Sequence, residues 1–166
     1  MHESVKRKLL KDQRALLLGA SDITQAIAAA RALQVENDGT LARALETAMV
    51  ISFMRPFTGT VRLPDGYSAP PGAAEAQLFD EMKALRDKVY AHTDRDTGRQ
   101  AGPISVHVEG ETVNLTWHEA WVPLSRDRLD FFIEVCEGLK ESMQLDAGKA
   151  QVILNGEVPV QRWGIT

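Results

Sequence analysis

An arginine, an aspartate and a histidine fall within seven consecutive positions of this chain, in the run Arg86-Asp87-Lys88-Val89-Tyr90-Ala91-His92. Histidine is the side chain that titrates near neutrality, so one imidazole can take a proton from one oxygen and return it to another. Arginine presents a planar fork of donors that matches phosphate oxygens. Asp87 can orient either cation through a hydrogen bond. These types suit RNA cleavage, in which a base takes the 2′-OH proton, an acid protonates the leaving 5′-oxygen, and a cation meets the charge growing on phosphorus. Arg86, Asp87 and His92 are therefore the candidate catalytic residues, with Lys88, Tyr90 and Arg55 as candidate substrate contacts. Arg86 with Asp87, His92, Tyr90 and Arg55 have structural alternatives. Arg86 would make a surface ion pair with Asp87, His92 would cap a core, Tyr90 would sit at a core edge, and Arg55 would answer the dipole at a helix C-terminus.

The run closes a helix predicted over residues 74–92. Leu78, Met82, Leu85, Val89 and His92 recur at spacings of four and three, so they share one face, and His92 stands where the pattern asks for another apolar residue. Arg86 lies on a flank with Phe79 and Tyr90. Six residues separate Arg86 from His92, which puts them about 120° apart around an ideal helix. One copy does not bring both onto a single phosphate. Two copies packed about a two-fold axis do, and the chemistry predicts a homodimer.

The rest of the chain supplies the elements that would hold this helix. Residues 3–18 read as a surface helix with Lys6, Arg7, Lys8, Lys11 and Arg14 outward, or alternatively as a nucleic-acid arm. Gly19 is expected to close it, with Ser21 or Asp22 capping a second helix over 23–35 on the stripe Ile23, Ala26, Ile27, Ala30 and Leu33. Asn37-Asp38-Gly39 marks a stop. Residues 41–54 are apolar almost all round, which predicts the centre of a bundle, and Pro56 is expected to end that helix. Residues 56–73 read as a long loop whose Arg62 and Tyr67 are placed to touch a substrate. A hairpin is predicted over 104–117, with one apolar face that must lie on something, most simply the helices. Its neighbours His107 and His118 show no metal-ligand spacing. Ser125 is expected to cap a last helix on Leu129, Phe132, Ile133, Cys136, Leu139 and Met143, weakening at Asp146-Ala147-Gly148. Trp163 suggests that the tail, 156–166, docks.

The sum is a mainly α single domain spanning 1–166: an antiparallel bundle of about five helices with one β-hairpin. Composition agrees, with 44% hydrophobic and 25% charged residues. A net charge of −4 excludes a global basic field, so RNA contact would need a local patch or a surface built by two chains. The single Cys136 suits a reducing cytoplasm, and no run of about 18 apolar residues suggests a membrane span. Phosphate-cradling glycine loops, nucleophile elbows and zinc-binding pairs are absent from the sequence, so neither metal nor cofactor is expected.

With Leu85 before it and Thr93-Asp94 after it, the run resembles the R-x(4–6)-H motif of the HEPN superfamily, in which the residue after the arginine is often Asn, Asp or His. The resemblance covers about ten residues. It implies a bundle of four or more helices, dimerisation through the motif helix, and often metal-independent endoribonuclease activity in toxins, with antitoxin partners, or in phage defence. Other members have lost catalysis and only bind partners. Two functions follow: a homodimeric HEPN-like ribonuclease, or a non-catalytic HEPN-like dimerisation and protein-interaction module.

Overall fold

The computed structural model describes residues 1–59, 61–67, 72–87 and 124–156, together with the backbone of 104–109 and 112–117. Lys88, Tyr90, His92, His118 and Trp163 lie outside the described residues. The described chain is mainly helical, with α1 at Glu3–Val35, α2 at Gly39–Thr58, α3 at Ala73–Leu85 and α4 at Arg126–Leu154.

Two of the expected helices are one. α1 runs through Gly19 for 33 residues, or about 50 Å. A glycine ends a helix when its backbone turns left-handed, as Gly156 does just past α4 with φ at 75°. Gly19 instead stays helical because something packs on it. A Cβ there would lie 2.9 Å from Leu63 Cδ2 and 3.2 Å from Met143 Sδ, so only glycine lets the following loop and α4 approach this closely. Ser21 and Asp22 are consequently mid-helix rather than caps. Among the described residues there are four α-helices, not five.

α1, not α2, is the spine. It packs along both α2 and α4 and contributes Ile23, Ala26, Ile27 and Ala30 to the fully enclosed core. The small alanines bring backbones close on both sides. α2 buries Met49, Val50, Phe53 and Met54 but leaves Leu41 about half exposed and Ala44 and Ala48 outside, so it is amphipathic rather than central. It also encloses the carboxylate of Glu46. Asp38 caps α2, its Oδ1 accepting from the N–H groups of Thr40 at 2.8 Å and Leu41 at 2.9 Å. Pro56 does not end α2. It forfeits only the bond its missing N–H would have given Ser52, and Gly59 N–H still donates to Arg55 C=O at 2.9 Å.

α4 keeps its expected cap, with Ser125 Oγ accepting from Arg128 N–H at 3.3 Å. It then continues through Asp146-Ala147-Gly148 to Leu154. The helix cost of Gly148, about 1 kcal/mol, is offset because Ala147, Ala150 and Ile153 bury against α1. Contacts between Leu9 and the α4 end, Gln13 and Gln151, Arg31 and Glu137, and Gln34 and Asp130 run in opposite chain directions, so the two long helices are antiparallel. α1 is long and apolar enough to cross a membrane by length and composition alone, a test that buried core helices also pass. In this fold 44% of its most apolar window is buried.

The strands β1 (Ile104–Glu109) and β2 (Thr112–Trp117) pair antiparallel, with Val106 opposite Leu115 and Val108 opposite Val113. The side chains that would decide which face of the ribbon meets the helices lie outside the described residues.

Candidate functional site

The motif begins where α3 stops being an α-helix. Leu78, Met82 and Leu85 are buried as the stripe requires. α3 ends at Leu85 rather than continuing regularly, and Arg86 and Asp87 occupy a wider, π-type turn. Such turns re-aim side chains and gather at functional sites. Arg86 Nη1 donates to Asp87 Oδ1 at 2.6 Å, with 33% of the Arg86 side chain exposed, so the guanidinium is oriented by its neighbour and still reachable.

Arg55 is elsewhere engaged. In the last turn of α2 its Nη1 donates to Asp22 Oδ1 on α1 at 2.7 Å, and no hydrogen bond or ion pair joins it to Arg86 or Asp87 among the described residues. Its place in the last turn of α2 is the one the structural alternative expected, and 53% of its side chain is exposed. The basic residues Lys6, Arg7, Lys8, Lys11 and Arg14 of α1 are exposed, and Arg7 pairs with Glu3 at 3.3 Å. Cys136 is buried in the core, and burial, aided by the Glu137 charge, pushes its thiol well above the usual range, so it is no nucleophile. Among the described residues no three His, Cys, Asp or Glu side chains converge as a metal cage would need.

A concave feature lies between α2, α3, α4 and the 3₁₀ turn Asp65–Tyr67, with a volume of about 570 Å³. Phe53, Phe57 and Phe79 build its aromatic wall, Phe57 and Phe79 meeting edge-to-face at 4.9 Å between centroids. The Phe53 ring also reaches Phe132 of α4 at 5.2 Å, which ties three helices together behind the cavity. On the rim, Tyr67 Oη donates to Asp146 Oδ2 at 2.8 Å and Lys149 Nζ to Asp146 Oδ1 at 2.6 Å. Burial raises the Tyr67 hydroxyl far above its ordinary value, and the Asp146 hydrogen bond and charge raise it further. At Asp146 partial burial pushes upward, but the hydrogen bonds from Lys149 and Tyr67 outweigh it and hold the carboxyl below the usual range.

Tyr67 was legible as a loop residue near a site. By sequence Asp146 belongs only to a stretch expected to weaken or end the last helix. One signal could have found the cavity: Glu134, Gly138, Ser142 and Asp146 recur every four residues along α4, a small and polar line beside the apolar stripe. No family model matches this chain, and no curated protein or solved structure is significantly similar to it.

Proposed function

We propose that the chain is a HEPN-like, metal-independent endoribonuclease that works as a homodimer in the cytoplasm, in a toxin or phage-defence role. The observation that carries this reading is Arg86, a partly exposed guanidinium held by Asp87 at 2.6 Å in a π-type turn where the motif begins. In the reaction, His92 takes the proton of a 2′-OH and the 2′-oxygen attacks phosphorus. The bond to the 5′-oxygen breaks, and that oxygen leaves with a proton delivered by imidazolium. The products are a 2′,3′-cyclic phosphate and a 5′-hydroxyl. Arg86 stabilises the charge on the phosphoryl oxygens, and Asp87 fixes the fork's direction. Two chains, each lending one Arg86 and one His92, complete the cleft.

The same ion pair favours a second reading. A guanidinium already neutralised by Asp87 has less attraction left for phosphate, which suits a non-catalytic HEPN-like module whose motif sets the register of a helix interface. One experiment separates them. Labelled RNA is incubated in EDTA with the wild type, His92→Ala and Arg86→Ala. Cutting by the wild type that is lost in both variants supports the enzyme. A wild type that is dimeric by mass yet cuts no member of a broad RNA panel supports the module.

A further inference from the structure

We propose that the cavity between α2, α3, α4 and the Asp65–Tyr67 turn binds a small organic cation with an aromatic or branched apolar body. This goes beyond the ribonuclease reading and uses none of its residues. The volume of about 570 Å³ falls in the range of small-molecule sites. Phe53, Phe57 and Phe79 belong to its lining, an aromatic wall that suits an apolar body, and aromatic rings attract ammonium groups.

The charged residues among the described lining have one sign. Glu75, Glu134 and Asp146 contribute carboxylates to the lining, and no Lys, Arg or His is among the described lining residues. Lys149, paired with Asp146 on the rim, offsets that charge, which leaves Glu75 and the exposed Glu134 as the principal anions of the lining. Phosphates and carboxylates are therefore repelled, and a cation is drawn in. On the α4 side the mouth is kept open by Gly138, where an added Cβ would meet no atom within 4 Å. A side chain at this lining position has open space to begin in, and a large one is expected to occlude the mouth.

The test titrates the full chain with phenethylammonium, phenethyl alcohol and phenylacetate, three ligands of one shape and three charges, followed by methyl-detected NMR. Phenethylammonium should bind about tenfold or more tightly than phenylacetate, with the alcohol between them; tenfold corresponds to about 1.4 kcal/mol. Gly138→Leu should abolish binding while leaving the melting temperature unchanged or raised. Glu134→Lys, a change at an exposed position that holds even if the glycine variant misfolds, should weaken phenethylammonium about tenfold and spare the alcohol. Equal affinity for cation and anion, no saturable binding of any probe, or wild-type affinity in Glu134→Lys would each overturn the proposal. Wild-type affinity in a folded Gly138→Leu would do the same.

Discussion

The two long helices carry three interior glycines, and their surroundings differ enough to give a quantitative contrast. At Gly148 and Gly138 an added Cβ meets nothing within 4 Å, whereas at Gly19 it comes to 2.9 Å from Leu63 Cδ2 and 3.2 Å from Met143 Sδ. Replacing an unencumbered helical glycine by alanine gains about 1 kcal/mol of helix propensity. For a chain of this size that is about 3 °C in melting temperature, and Gly148→Ala should show all of it. Gly19→Ala gains the same propensity but crowds two side chains. Leu63 is partly exposed and can yield, while Met143 is enclosed, so crowding of about 1 kcal/mol cancels the gain. Gly19→Leu drives a whole side chain into Leu63, Met143 and Pro56 and should lose about 3 kcal/mol. Urea midpoints followed by far-UV circular dichroism give all three values. A Gly19→Ala midpoint raised as far as that of Gly148→Ala, together with a tolerated leucine, would refute the close approach of α1 to the loop and α4.

The remaining expectations are brief. Asp38→Ala removes the acceptor for two N–H groups at the start of α2 and should cost about 1 kcal/mol in urea unfolding, with Asp38→Ser recovering most of it. Tyr67→Phe removes the hydroxyl donor to Asp146 and should cost about 1 kcal/mol at neutral pH. Because the folded Asp146 carboxyl lies below its unfolded value of about 3.9, its contribution is complete above that value and fades as pH falls through the folded one. The gap between wild type and Tyr67→Phe should therefore close in acid, and a gap that widens below pH ~4 would reverse the sign. In the RNA assay Asp87→Ala should cut more slowly than wild type yet faster than Arg86→Ala, since it frees the guanidinium without removing it.

Apolar periodicity made the helical core legible. The stripes Ile23, Ala26, Ile27, Ala30 and Leu33 and Leu129, Phe132, Cys136 and Met143 are enclosed as their spacing demands. The Ser125 cap was equally readable, because capping is local chemistry. What misled was punctuation. Gly19, Pro56 and Gly148 are breakers by propensity, but burial of neighbours such as Ala20, Met54 and Ala147 outweighs penalties of this size in long packed helices. The Arg86–Asp87 pair was foreseeable from adjacency. The π-type turn that carries it was not, since nothing in an i, i+3, i+4 pattern announces a widened turn. Arg55 paired with Asp22 because two helices joined by a short connection bring residues 33 positions apart together, a consequence of topology rather than of any motif.

The apolar contact between the α1 beginning and the α4 end has its own consequence. Leu9, Ala150 and Ile153, with Val5 and Leu154 beside them, form a cluster separate from the main core. Two helix ends held by so few side chains make a stem whose opening exposes little surface. It can therefore unzip and re-close without the aromatic centre loosening, so its amides should exchange with solvent ahead of the rest and a protease should trim it first. The molecule thus has two tiers of permanence, a slow interior and a quick extremity, on the same pair of rods.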